Sequence, residues 1–304
     1  MNEYIQDDEL ARGEYLLEQC YIDPRKTLEH PPIALSYGTY SYKTSDEVIT
    51  YDTPIGTYGN FSFIQAPPKH KKTFLVTLLS AAYLGGNSEK FCGKIKGHRD
   101  GRHLLHFDTE QSAFHAQRVF RRTLDMSGVE EDCYYTYGLR SQDPKDRISI
   151  IEAAIHQNED AGLVVIDGLA DLISDVNNIE EANKIVQKIM TLTERYKIHI
   201  LTVIHSNYGS EKPTGHLGSA MEKKAETQIM LERDSADNNI TKVICKRSRG
   251  RGFDTFSFYV NDFGFPQLAY EDLSWLDNLG NDREIKHTNQ TNPTPVGEDD
   301  SLWT

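Results

Sequence analysis

Residues 61–82 read FSFIQAPPKHKKTFLVTLLSAA, which combines an apolar strand candidate, a short basic loop and an apolar helix candidate. This order is typical of loops that bind phosphate groups, whose pattern is G-x-x-x-x-G-K-[ST]. Lys72 and Thr73 match the last two positions, whereas Ala66 and Lys71 stand where the pattern has glycine. The segment therefore predicts a phosphate-binding loop of unusual composition.

The loop has groups that could hold a nucleoside triphosphate. Backbone N–H groups and the positive end of the following helix bind phosphate oxygens. Lys72 would reach the β- and γ-phosphates, and the Thr73 hydroxyl would hold Mg²⁺. Pro67 and Pro68 have no N–H to donate, so a basic turn in front of a core helix is an alternative. The candidate nucleotide contacts are Ala66, Pro67, Pro68, Lys69, His70, Lys71, Lys72, Thr73 and Phe74.

Polar residues follow three other strand candidates, where ligands of an open parallel sheet bind. HFDTEQ contains Asp108 and Glu110, LVVIDG contains Asp167, and ILTVIHSN leads to His205 and Asn207. An aspartate after an apolar run is typical of a Mg²⁺ site, and a neighbouring glutamate can deprotonate a water molecule. A polar residue on a further strand can sense the γ-phosphate. Each residue alone also fits a solvated strand end, but the ordered set favours a Mg·ATP site.

Composition limits the class of protein. The 304 residues suffice for one large α/β domain with extensions. The net charge of −13 predicts no general affinity for nucleic acids, so a DNA contact would need local loops or the basic channel of a ring. The four cysteines lie far apart and are expected to be reduced thiols in a cytoplasmic protein. No apolar run reaches about 18 residues, so we expect no membrane span.

Strand and helix candidates alternate through the middle of the chain, which predicts an α/β fold with a mostly parallel, twisted sheet flanked by helices. Three later runs, at 227–233, 239–248 and 254–260, predict antiparallel strands. We expect an irregular N-terminal arm at 1–55 with a short helix near Asp8–Cys20, a core at 56–270 and a flexible tail at 271–304. The strand candidates are Phe61–Gln65, His103–Phe107, Cys133–Tyr137, Leu163–Ile166 and Ile198–Ile204, and the helix candidates are Lys72–Leu84, Gln111–Met126, Pro144–Gln157 and Ile179–Tyr196.

From roughly Ile55 to Phe265 the chain resembles the RecA-like P-loop ATPases, and within them the RepA-type hexameric helicases and AAA-family ATPases of plasmids and mobile elements. FxDTEQ resembles the strand that carries the catalytic glutamate, here Glu110, and LVVIDG resembles the Walker B strand, with Asp167 as its carboxylate. HSN at 205–207 stands where this group carries its sensor, and GHLGSAMEKKAE resembles the stretch that follows. The resemblance implies ATP and Mg²⁺ as cofactors, a homo-oligomer such as a hexameric ring, single-stranded DNA, and other replication or mobilisation proteins as partners.

The segment CKRSRGRGF carries Lys246, Arg247, Arg249 and Arg251. In hexameric RecA-like helicases a strand near the end of the core ends in a Lys/Arg pair that reaches the γ-phosphate bound by the next subunit. The resemblance implies this role here, with Lys246 contacting nucleotide and Arg247 and Arg249 acting in catalysis. An arginine supplied in trans raises rates by about 10³–10⁵-fold. A solvated basic hairpin and a contact with the DNA backbone are the alternatives.

Two loops after Asp167 and Asn207 stand where RecA-like rings touch single-stranded DNA. The residues implied in DNA binding are Lys212, His216, Lys223 and Lys224, and Tyr208 is a candidate for base stacking. Such contacts would be mostly electrostatic and would weaken with salt.

Four functions remain open at this point. The first is an ATP-driven motor or remodelling enzyme on single-stranded DNA. The second is a nucleotide-binding regulator or assembly factor without hydrolysis, which the missing glycines and the two prolines favour. Glu110 argues against it, because binding alone has no need of that carboxylate. The third is a recombination or repair ATPase that forms open filaments. A small-molecule kinase shares the loop but would need a lid that the sequence does not reveal.

Overall fold

Strands and helices alternate along most of the chain. The computed structural model describes residues 2–45, 47–85, 91, 93–130, 132–207, 210 and 212–269. The described helices are α1 (Asn2–Cys20), α2 (Lys72–Gly85), α3 (Ala113–Ser127), α4 (Pro144–Gln157), α5 (Ile179–Tyr196) and α6 (Gly215–Lys224), with a 3₁₀ turn at Leu169–Leu172. The described strands are β1 (Ile33–Lys43), β2 (Val48–Thr57), β3 (Phe61–Ala66), β4 (Ile95–Gly97), β5 (His103–Asp108), β6 (Tyr134–Gly138), β7 (Ala161–Asp167), β8 (His199–His205), β9 (Thr227–Arg233), β10 (Ile240–Ser248), β11 (Phe256–Val260) and β12 (Pro266–Leu268).

Nine of the described strands form one sheet in the order β12-β11-β10-β9-β3-β8-β7-β5-β6. The strands from β9 to β6 in this order are parallel. β10, β11 and β12 extend the sheet in antiparallel pairs. The predicted α/β class, with a mostly parallel sheet and C-terminal antiparallel strands, is confirmed. β9 differs from the expected run of antiparallel strands, because it pairs parallel with β3 and antiparallel only with β10.

Helices cover both faces of this sheet, which explains why its central strands are mostly apolar. Every residue of β3 and of β7 is buried. Ile64 belongs to a core that contains Leu75 of α2, whereas its neighbour Phe63 belongs to a second core that contains Ile185 of α5. Successive strand residues point to opposite faces, so both faces need apolar side chains. The ends of the sheet are left to loops, and the carboxyl ends carry the candidate site.

The N-terminal segment is more ordered than expected. The short helix predicted near Asp8–Cys20 is confirmed as part of the longer α1. The prediction of irregular structure after this helix is wrong, because β1 pairs with β2 and with β4 in a separate three-stranded antiparallel sheet. Leu35 and Ile55 of this sheet lie in the same core as α2. Its tyrosines replace the usual aliphatic residues of a strand, and Tyr40 stacks on Tyr51 with ring centroids 5.6 Å apart.

Several other expectations concern single residues or short segments. The cysteines that the structure describes, Cys20, Cys133 and Cys245, are free thiols as predicted. Among the described helices none is both long and apolar enough to cross a membrane. Cys92 and the predicted tail at 271–304 lie outside the described residues, and the limits of the three predicted domains stay predictions.

Candidate active site

The loop between β3 and α2 has a backbone shape that glycine usually serves. Lys69 and Lys71 have φ angles of 63° and 57°. A side chain in this left-handed region costs about 1–2 kcal/mol per residue. Lys71 stands at the second glycine position of the phosphate-loop pattern, so its positive φ is the conformation that the missing glycine would adopt. The other glycine position, Ala66, is the buried last residue of β3.

The loop has backbone N–H groups that do not donate hydrogen bonds within the described part of the chain. Within the part of the chain that the structure describes, the N–H groups of residues 69–73 have no protein acceptor. The next two amides, of Phe74 and Leu75, both donate to the Lys71 carbonyl at 3.1 Å and begin α2. A run of free amides at the start of a helix attracts an anion, because the helix dipole adds positive potential there. Pro67 and Pro68 precede this run and contribute no N–H.

Lys72 is buried and points back across the loop. Its ammonium lies 3.3 Å from the Ala66 carbonyl, 3.0 Å from the Pro67 carbonyl and 3.1 Å from Nδ1 of His205. Since the ammonium can only donate, Nδ1 of His205 accepts and carries no proton in this contact. Burial lowers the pKa of Lys72, and the nearby charges of Asp167 and Glu110 oppose that change. Burial and the Lys72 charge lower the pKa of His205.

Thr73 faces Asp167 at the end of β7. The Thr73 hydroxyl donates to Oδ2 of Asp167 over 3.1 Å. Burial raises the pKa of Asp167 to about 7, and the neighbouring carboxylates of Asp108 and Glu110 push in the same direction. A hydroxyl beside a carboxylate suits Mg²⁺, which prefers oxygen ligands and takes few of them from protein when phosphates supply others. The two residues therefore fit the predicted metal site.

The turn after β5 holds Glu110 at the same rim of the sheet. Oδ1 of Asp108 accepts the amides of Glu110 and Gln111 at 3.0 and 2.7 Å. Glu110 itself is exposed, and its charge raises the pKa of Lys72, Asp167 and His205. The structure thus brings together Lys72, Thr73, Glu110 and Asp167, as the sequence predicted.

A second pair of residues, which sequence reasoning did not find, fastens this turn to β7. The Thr109 hydroxyl donates to Oδ2 of Asp171 over 2.7 Å, and its N–H donates to the Asp167 carbonyl over 2.9 Å. Arg147 in turn donates to the Asp171 carbonyl over 2.7 Å. The only signal in the sequence is a second acid four residues after Asp167, which is too common to interpret alone.

Of the two predicted sensors at the end of β8, only His205 touches the loop, through Lys72. Asn207 is exposed, and its N–H donates to the Lys212 carbonyl over 2.9 Å. The His205 carbonyl accepts a hydrogen bond from the Thr214 hydroxyl over 2.8 Å, so Thr214 lies beside the end of β8. Tyr208 lies outside the described residues.

Arg247 and Arg249 of the basic segment lie toward the opposite end of the sheet from the loop of their own chain. Ser248 and Arg247 pair with Thr227 and Gln228, and Thr227 pairs with Ser62 near the start of β3. The loop begins after the other end of β3, about 13 Å away at 3.3 Å per residue. Arg249 donates to the Lys224 carbonyl over 2.6 Å. Neither arginine can therefore serve the loop of its own chain.

The other two residues of the segment are held within the chain. Lys246 stands at a register shift of β10, and its ammonium lies 3.8 Å from the sulfur of Met230. The guanidinium of Arg251 lies 4.9 Å from the ring centroid of Tyr40, which joins the segment to the N-terminal sheet.

Of the four residues implied in DNA binding, His216, Lys223 and Lys224 line one groove, and Lys212 lies apart from them. Lys212 lies beside Asn207, before α6. His216 is in the first turn of α6, and Lys223 and Lys224 are in its last turn. All three line a groove of about 330 Å³ between α5 and α6. The ten residues of α6 span about 15 Å, so Lys212 and Lys224 lie at different ends of the sheet.

Comparison with models of protein families gives a match. A model of the family described as AAA domain matches residues 56–211, just over half of the chain. The match begins in β2 and includes the loop, Glu110, Asp167 and His205, and it ends before α6. A search of curated proteins found no match.

Proposed function

This chain belongs to the AAA domain family, and from that premise we propose that it is a Mg²⁺-dependent ATPase. The observation that carries the proposal is the contact of Thr73 with Asp167 directly beside the contact of Lys72 with His205. A phosphate loop, a metal-binding pair and an exposed glutamate occur at one rim of a parallel sheet. This combination is what phosphoryl transfer to water requires.

Each residue has a separate task in the proposed reaction. The amides of residues 69–73 and the Lys72 ammonium bind the phosphate oxygens. Thr73 and Asp167 would hold Mg²⁺, which would supply positive charge to offset that of the phosphates. Glu110 orients a water molecule and accepts its proton. The exposed position of Glu110 leaves its carboxylate available for this water.

His205 is suited to report whether phosphate is present. It accepts a hydrogen bond from Lys72 over 3.1 Å. Phosphate oxygens are stronger acceptors for an ammonium group than a neutral imidazole, so nucleotide binding would draw Lys72 away from His205. Thr214 is bonded to the His205 carbonyl, which links this change to the segment leading into α6.

The central experiment compares ATP turnover by the wild type and by Glu110→Gln with Mg²⁺ present. We expect a loss of about 10²–10⁴-fold in turnover, with ATP binding retained. Glu159→Gln is the matched control, since Glu159 is an exposed residue just before β7 at the other end of the sheet. Equal, negligible turnover in both the wild type and Glu110→Gln, with ATP still bound, would overturn the ATPase. It would favour the regulator, for which the strained, glycine-free loop is the supporting observation.

We further propose that the ATPase is a ring-forming motor of the RepA type that acts on single-stranded DNA with replication or mobilisation proteins. The position of Arg247 and Arg249, remote from the loop of their own chain, supports a site completed by a neighbouring subunit. Exposed Lys212, His216, Lys223 and Lys224 are the proposed DNA contacts. Turnover should rise with single-stranded DNA, and the rise should fade with salt. If single-stranded DNA did not change ATP turnover at any salt concentration, the proposal that DNA is the partner would be wrong.

A further inference from the structure

The phosphate loop is contacted at two points by the turn between β9 and β10. Arg233, the last residue of β9, donates from its guanidinium to the Lys69 carbonyl over 3.0 Å. On the other side of the turn, the Asn239 carbonyl accepts the Lys71 ammonium over 2.6 Å. These two loop residues are also the ones with positive φ. The turn therefore contacts the loop where its backbone is most strained.

The turn is itself well braced. Oδ1 of Asp234 accepts the amides of Ala236 and Asp237 at 2.7 and 3.1 Å. Oδ2 of Asp234 pairs with the Lys242 ammonium over 2.6 Å, and this hydrogen bond, together with those from the two amides, lowers the pKa of the Asp234 carboxyl to about 2. A braced turn can hold a neighbouring loop without deforming.

The contact from Arg233 also fixes a phosphate-binding group. A peptide unit is planar and trans, so its C=O and the following N–H point in opposite directions. With the Lys69 carbonyl turned toward Arg233, the His70 N–H is turned away from Arg233. That amide is one of those without an acceptor in the described part of the chain.

We propose that Arg233 and the turn at 234–239 are a positioning element that holds the glycine-free loop in its phosphate-binding shape. Glycine reaches positive φ without a steric penalty. In this loop, contacts from the β9–β10 hairpin hold the lysines at positive φ instead. The inference deepens the proposed ATPase and rests on it for the nucleotide, but the loop restraint can be measured alone.

The test is the affinity for Mg·ATP of Arg233→Ala, followed by a rescue. We expect the dissociation constant to rise about tenfold or more, the scale on which supporting residues act on a bound group. Adding Lys69→Gly should restore binding, because glycine removes the strain. Adding Lys69→Ala should not, although it removes the same charge. Arg121→Ala, which deletes an exposed arginine of α3, is the control for charge and should bind like the wild type.

A second measurement, on the protein without nucleotide, separates this inference from the proposed function. The amides of Phe74 and Leu75 depend on the Lys71 carbonyl, so Arg233→Ala should speed their hydrogen exchange and Lys69→Gly should slow it again. Faster exchange in Arg233→Ala, together with a wild type that binds no ATP, would overturn the proposed ATPase activity and keep the restraint. Unchanged exchange and affinity in Arg233→Ala would overturn the restraint. Weakened binding that both Lys69 variants leave unrestored would also overturn it, since Arg233 would then act by charge.

Discussion

The Thr73 hydroxyl lies 3.1 Å from Oδ2 of Asp167 and donates a hydrogen bond to it. This contact joins the start of α2 to the end of β7, two elements that are 94 residues apart in sequence. It also sets two oxygen atoms side by side, which is the arrangement that a bound Mg²⁺ would use.

Thr73→Ala should weaken Mg²⁺-dependent ATP binding by about 10–100-fold, the range found when a group that supports a metal site is removed. Thr73→Ser keeps the hydroxyl and should bind within a few-fold of the wild type. Titration with a fluorescent ATP analogue, with Mg²⁺ and with a chelator, measures both variants. If Thr73→Ala kept the full effect of Mg²⁺, Thr73 would have no part in holding the metal.

Asp167→Asn should make the protein more stable at pH 8 when no nucleotide is bound. The folded-state pKa of Asp167 is raised from 3.8 to about 7. The folded state therefore holds an extra proton between about pH 4 and pH 7, and the stability contributed by this carboxyl falls as pH rises through that window. The gain at pH 8 should be on the order of 4 kcal/mol and should vanish near pH 4.

Urea unfolding of Asp167→Asn and the wild type at both pH values, without divalent cations, gives this difference directly. Asp125→Asn replaces an exposed carboxylate on α3 and should follow the wild-type pH profile. Parallel profiles for Asp167→Asn and the wild type would mean that Asp167 does not carry a raised pKa.

Gly97→Ala should destabilise the fold by about 1–3 kcal/mol, the usual cost of an overpacked core. A Cβ at Gly97 would lie 2.4 Å from the Ala82 carbonyl oxygen and from Cα of Tyr83, both backbone atoms of α2. Gly138→Ala is the control, because a Cβ there meets nothing within 4 Å. Thermal unfolding measures both. Equal stability of the two variants would indicate that β4 does not pack tightly on α2.

Mixing two inactive variants tests whether the basic segment acts between subunits. Arg249→Ala and Glu110→Gln should each abolish most of the turnover if one active site draws on two chains. In a mixed ring with head-to-tail contacts, roughly a quarter of the sites would combine an intact Glu110 with an intact Arg249. ATP turnover of the mixture should therefore exceed that of either variant. A mixture no more active than its parts would argue against catalysis by Arg249 in trans.

Much of the parallel sheet could be predicted because burial on two faces leaves a strong pattern. The runs LVVID and IHILTVI are mostly aliphatic, with His199 and Thr202 as buried polar residues in the second, and they lie in β7 and β8 in the interior of the sheet. Glu110 and Asp167 were predicted to meet because parallel strands end at one edge. The N-terminal hairpin was missed because its strands mix Tyr, Thr, Ser and Gly, and part of each strand is exposed.

The parts of the site that were not predicted depend on contacts between distant segments. No local pattern reveals that Thr109 bonds to Asp171 or that Arg233 reaches the Lys69 carbonyl. The distance of Arg247 from the loop follows from the antiparallel pairing of β10 with β9, which was predicted, and from the parallel pairing of β9 with β3, which was not. The positive φ of Lys69 and Lys71 likewise contradicts their own preference, so tertiary structure has to supply it.

The loop at Lys69 and Lys71 bears on how such ATPases are recognised. In the usual pattern, glycines within eight consecutive residues allow the backbone to curve around the phosphates. Here the groups that contact the curved backbone are the Arg233 side chain, 164 residues after Lys69, and the Asn239 carbonyl, 168 residues after Lys71. The sequence of the loop can therefore vary as long as the hairpin keeps its contacts with the loop. A short pattern that demands glycine would pass over every relative built this way, whereas a search on three-dimensional backbone shape would retrieve them.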